Sequence, residues 1–100
     1  MQTIRRPAVA GLFYPADPAE LQADVEGYLA GAHGADGPAP KALIAPHAGY
    51  VYSGPVAGSA DARLRAAAGR IDRVVALAPA HRLPFRGLAV PDATEFLTPL

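Results

Sequence analysis

Apolar positions along this chain change their period from one stretch to the next. Leu21, Val25, Tyr28 and Leu29 recur at i, i+4, i+7 and i+8, the spacing of one apolar helix face. Ahead of them, Asp17 can cap, Pro18 suits the first helical position, and Glu20 stands three after Asp17 as in a capping box. Gly31 supplies the stop. A helix is therefore predicted from Pro18 to the residue before Gly31. Upstream, the apolar segment from Val9 to Tyr14 lies between prolines and reads as a short strand or an ordered arm. Downstream, residues 31–40 are small, polar and rich in Pro and Gly, the composition of a surface loop that would leave His33 solvated.

From Lys41 the pattern becomes one of short continuous apolar runs. Ala42-Leu43-Ile44-Ala45 is stopped by Pro46, Val74-Val75-Ala76-Leu77-Ala78 by Pro79, and Leu88-Ala89-Val90 by Pro91. Such runs suit strands covered on both faces. Between the first two, Ser53 or Gly54 followed by Pro55 can open a second helix, running through Val56, Ala57, Ala60 and Leu64 to Ala68. Arg63 and Arg65 suit its carboxyl end, Asp61 is placed to pair with Arg65, and Gly69 closes it. Strand, helix, strand with short connections is a βαβ unit. The expected class is α/β, a mainly parallel sheet with flanking helices. Two helices cover such a sheet incompletely, so residues 1–100 read as the opening, N-terminal portion of a single larger domain.

Composition narrows the function. Of the 100 residues 51% are hydrophobic, yet 23 are alanine, so any core is thin. Nine basic and nine acidic residues cancel, which removes the broad charge footprint expected for nucleic acid or an anionic membrane. With no cysteine, disulfide scaffolds and thiol catalysis within the chain are excluded. No run approaches the roughly 20 apolar residues that span a bilayer. Arg5-Arg6 lacks the long apolar segment and small-residue cleavage site of a signal peptide. A cytoplasmic protein without membrane or nucleic-acid partners is expected.

Two strand ends share a pattern. Leu43-Ile44-Ala45-Pro46-His47 and Ala76-Leu77-Ala78-Pro79-Ala80-His81 each run from strand through Ala-Pro to histidine. Ligands of open α/β sheets bind outside the carboxyl ends of the strands. Strands about 4.8 Å apart can bring two such imidazoles onto one ion. His47 and His81 are thus candidate metal ligands for iron(II) or copper, and candidate catalytic groups. Tyr50 and Tyr52, read as alternating with Val51, could line one wall and donate hydroxyl protons to a bound substrate. Ser53 is better explained by helix capping than as a nucleophile, and Gly49 and Gly54 by backbone turns. Asp92 and Glu95, after the third run, fit a solvated turn better than a ligand role.

Three segments in order carry a family resemblance: Arg6-Pro7-Ala8-Val9-Ala10-Gly11-Leu12-Phe13-Tyr14-Pro15, then Ile44-Ala45-Pro46-His47-Ala48-Gly49-Tyr50-Val51-Tyr52-Ser53-Gly54, then Ala78-Pro79-Ala80-His81. Together they resemble the Memo family, called AmmeMemoRadiSam system protein B in prokaryotes. The likeness runs from about Arg5 to the C-terminus, and its middle segment carries most of the specificity. It implies a fold similar to the LigB-like class III extradiol dioxygenases, which use non-haem iron. It also implies a metal pocket to which His47 and His81 contribute, with further pocket residues beyond Leu100. Ala78 and Ala80 stand where the family usually has Gly and Ser, and Arg82 where a second histidine is common. Arg82 would weaken a neighbouring cation or favour an anionic substrate.

The leading expectation is a metal-dependent, dioxygenase-like oxidoreductase acting on a small molecule. The alternative is a non-enzymatic binding or adaptor protein that uses the same pocket for a peptide or small molecule. Self-association is expected if the sheet is left uncovered.

Overall fold

The structure is a computed structural model that describes residues 2–34 and 36–100. Ala35, within the expected loop, and Met1 lie outside the described residues. Among the described residues five elements follow in order: strand β1 (Ile4–Arg5), helix α1 (Pro18–Ala30), helix α2 (Tyr50–Asp61), a 3₁₀ helix (Ala62–Ala67) and strand β2 (Glu95–Phe96). The two strands pair in parallel, with Ile4 opposite Glu95 and Arg5 opposite Phe96. The class is therefore α/β, a two-stranded parallel sheet with two helices in the connection.

Local chemistry explains α1. Asp17 is its N-cap and accepts from the Glu20 N–H at 2.9 Å, with proline in the first turn. The cap satisfies one of the orphan donors of the first turn. The helix ends at Ala30, and Gly31 closes it with φ at −82°, without the left-handed conformation that glycine often provides there. Its apolar face is the predicted one: Leu21 is buried and Val25, Tyr28 and Leu29 are half-buried.

Helix α2 starts earlier than predicted. It opens at Tyr50 with Gly49 as N-cap, so Pro55 lies inside the helix instead of opening it. Ser53 is consequently no cap. Its buried hydroxyl donates backwards to the Ala48 carbonyl at 2.6 Å and reaches the Gly49 carbonyl at 3.3 Å, the back-bonding available to a helical serine. Gly54 is likewise no turn residue. A Cβ there would stand 2.5 Å from Tyr28 Cζ, and one at Gly58 would stand 2.7 Å from the Tyr28 carbonyl oxygen. These two glycines, one helical turn apart on the same face, let α2 cross α1 at very short range. After Asp61 the chain tightens to 3₁₀ geometry, which takes Arg65 off the α-helical position facing Asp61. Gly69, at φ +82°, turns the chain away.

The three apolar runs differ from expectation. Residues 42–45, 74–78 and 88–90 form no regular secondary structure, and the strands among the described residues lie at 4–5 and 95–96. Ile44 is fully exposed, and Val75 and Leu77 are about four-fifths exposed. The physical reason is that a parallel strand is held by neighbours on its edges and by cover on its faces. Neither reaches these runs among the described residues. The segment from Val9 to Tyr14 forms an ordered arm, bridged from Ala10 to Tyr14 around Gly11 at φ +83°. Among the described residues the buried apolar side chains are Leu21, Ala62 and Ala67, a thin core. The radius of gyration, 15.0 Å, exceeds the roughly 13 Å of a packed domain of this length.

Candidate functional site

The loop that carries His47 is fastened at several points. The Tyr50 N–H donates to the Phe13 carbonyl at 2.7 Å, tying the start of α2 to the N-terminal arm. The Tyr52 and Ser53 N–H groups donate to the Gly49 carbonyl at 2.9 and 3.0 Å, and the Ser53 hydroxyl holds Ala48. Together these bonds fix the chain within two residues of His47. His81 follows two residues after Pro79.

The two imidazoles meet. His47 Nε2 and His81 Nε2 are 3.0 Å apart, with ring centroids at 5.3 Å and planes at 42°. Both rings are exposed to solvent. In neutral form one Nε2 donates its proton and the other accepts, so the two rings hold different tautomers. The same spacing suits a shared ion. Two nitrogens bound at right angles, each near 2.1 Å from one metal, stand about 3 Å apart. The donor pair therefore fits a divalent metal that prefers imidazole. No group of three His, Cys, Asp or Glu residues that could hold a metal ion gathers among the described residues. Asp92 is exposed, and Glu95 sits on β2, where its carboxylate accepts from the Gln2 side-chain amide. Neither joins the histidines.

The structure separates the two tyrosines. Because 50–52 is helical and not extended, Tyr50 and Tyr52 leave the backbone about 200° apart and do not share a wall. Tyr52 is 84% exposed. Tyr50 turns inwards, its ring 5.4 Å from that of Tyr14 and 6.1 Å, edge to face, from that of Tyr28. Burial, then the neighbouring Tyr14, Asp61 and Tyr28, raise the Tyr50 phenol above its ordinary pKa of 10.0. Sequence reading missed the role of Tyr14 and Tyr28 in this stack. The available signal was the Gly54-x-x-x-Gly58 spacing, which marks a close helix crossing and hence a neighbouring ring.

An α/β chain with histidines converging from two loops, each just after an Ala-Pro step, defines the class. The Memo-like protein family matches residues 5–100. The chain is 40% identical over 96 residues to Protein MEMO1 of Danio rerio, covering 96% of this chain and 31% of that protein. It is 40% identical over 105 residues to a MEMO1 family protein of Methanothermobacter thermautotrophicus, covering 97% and 37%. To the MEMO1 family protein of Aquifex aeolicus it is 36% identical over 96 residues, covering 96% and 34%. The chain belongs to the Memo-like family and spans about a third of the length of these relatives. No solved structure matches it. No helix among the described residues is long and apolar enough to cross a membrane.

Proposed function

We propose that His47 and His81 are two ligands of an iron(II) or copper centre in a dioxygenase-like oxidoreductase acting on a small organic substrate. The observation that carries this reading is the 3.0 Å separation of their Nε2 atoms. Bound there, such an ion would supply redox chemistry. The chain's own contributions follow from position. His47 is held by the bonds that fasten residues 48–50, and His81 approaches from the segment after Pro79. Tyr52, exposed on the first turn of α2, offers its hydroxyl to a substrate. Tyr50 acts behind the motif, where its packing on Tyr14 and Tyr28 fixes the start of the helix. Arg82, next to His81, favours an anionic substrate. The remaining ligands would come from polypeptide corresponding to the further length of the relatives. A cytoplasmic setting belongs to the same reading.

Anaerobic calorimetric titration with Fe(II) tests it. This chain should bind one ion weakly, because two imidazoles leave most of the coordination shell to water. His47→Ala and His81→Ala should each lower affinity by more than the roughly 10–100-fold that loss of an outer-shell partner costs. Unchanged binding in both variants would remove the metal reading. Exposed Val75 and Leu77 favour a second reading, a non-enzymatic binding protein that docks a peptide. Peptide binding that survives loss of both histidines would support it.

A further inference from the structure

A cavity of about 100 Å³ lies between α1 and α2, apart from the histidine pair. Its walls include the tyrosine rings of Tyr28 and Tyr50, the apolar side chains of Val25 and Leu29, and the carboxylate of Asp61. Gly54 and Gly58 also line it, at the point where a Cβ would collide with Tyr28. The opening thus results from the same close crossing that holds the helices together. No basic residue lines it, and its acidic residue is Asp61, which is exposed to solvent. The Tyr28 and Tyr50 rings pack edge to face, their centroids 6.1 Å apart and their planes at 78°.

We propose that this cavity binds a small organic cation, a methylated or simple alkyl ammonium group. Aromatic faces attract cations through the ring quadrupole, and bind quaternary ammonium groups in this way. A carboxylate at the wall adds a counter-charge, while the aliphatic walls match methyl groups better than they match a hydrated metal ion. Size points the same way. The cavity is about 100 Å³ and opens to solvent, far below the 300–1,000 Å³ of a drug-sized pocket, so it takes the ammonium head group alone and leaves the rest of the ligand outside. Tyr50 links this cavity to the motif, since it lies three positions after His47 and forms the first turn of α2.

The probes are choline and its neutral carbon isostere, 3,3-dimethyl-1-butanol, titrated into the 100-residue chain and followed by amide NMR shifts. Choline should saturate, with shifts confined to residues around Ala57, Gly58 and Asp61, and should bind at least about tenfold more tightly than the alcohol. Asp61→Asn should weaken choline about tenfold while leaving the alcohol unchanged. Ala57→Leu, which fills the cavity from α2, should abolish binding with helical circular dichroism retained. Equal binding of choline and the alcohol would overturn the proposal, as would shifts that never saturate or that persist in Ala57→Leu. Fe(II) titration of Asp61→Asn should match the parent chain, which separates this site from the histidine pair.

Discussion

Leu21 and Leu77 are the same residue in opposite circumstances. The first is 3% exposed on α1, the second 79% exposed in an irregular run with four apolar neighbours. Sequence hydrophobicity does not separate them, because Val74-Val75-Ala76-Leu77-Ala78 is more continuously apolar than any turn of α1. What differs is how far away the stabilising partners lie. Helix α1 satisfies its own backbone and needs one nearby surface, which α2 provides through Gly54 and Gly58. A parallel strand satisfies nothing by itself and depends on neighbours brought from elsewhere in the chain.

The sharpest test of this contrast is Leu21→Ala. Removing a buried leucine should destabilise the helical part by about 2–5 kcal/mol, measured by denaturant unfolding followed at the helical signal. A fully stable variant would show that α1 is not packed on α2 as described. Gly58→Ala should come next. An added Cβ meets backbone at Tyr28, which has little room to move, so overpacking of roughly 1–3 kcal/mol offsets or exceeds the gain in helix propensity of about 1 kcal/mol. A clearly stabilised Gly58→Ala would mean that the helices are further apart.

The effect of pH on Tyr50 should be smaller. Its folded pKa is raised above the ordinary value of 10.0, so the folded state holds the phenolic proton more tightly than the unfolded chain. That stability is fully present below pH about 10 and is lost as pH climbs through the raised value. Tyr50→Phe should remove this alkaline loss; an identical alkaline profile in the variant would place the ring in water. The smallest expected effect is that of Val75→Ser. At so exposed a position the helical part should change by no more than about 0.5 kcal/mol. A larger loss in the same denaturation experiment would reveal that the run is covered in solution, and would erase the comparison with Leu21.

Legibility in the sequence followed the same division. Asp17, Pro18 and the Leu21 to Leu29 spacing specified α1 because caps and helix faces are encoded within a few residues. The pairing of His47 with His81 was legible as a repeated order of apolar run, Ala-Pro and histidine, although the expected sheet between them does not form. The start of α2 was misplaced because Pro55 looked like an opening residue, whereas the bonds from Tyr50 to Phe13 and from Ser53 to Ala48 begin the helix five residues earlier. Strands β1 and β2 were invisible to pattern reading. Two residues each have no measurable period, and their partners lie at opposite ends of the chain.

That last pairing governs the order in which the molecule can assemble. Thr3 and Thr94 exchange hydrogen bonds of 3.0 Å across a sequence separation of 91, whereas Tyr28 and the glycines of α2 are about 30 positions apart. Closing the longer loop costs about 1 kcal/mol more in chain entropy by logarithmic scaling, and what repays it is a two-residue ladder with a few exposed side-chain bonds beside it. The α1–α2 hairpin should therefore collapse first, and the knot of Gln2, Thr3, Thr94 and Glu95 should tie last and open first. Amide hydrogen exchange would report this hierarchy directly, with Glu95 and Leu97 exchanging well ahead of the interior of α1. Shaving off the first five residues would then release the segment around Thr94, Glu95 and Phe96, while leaving the helical hairpin and the contact of His81 with His47 standing.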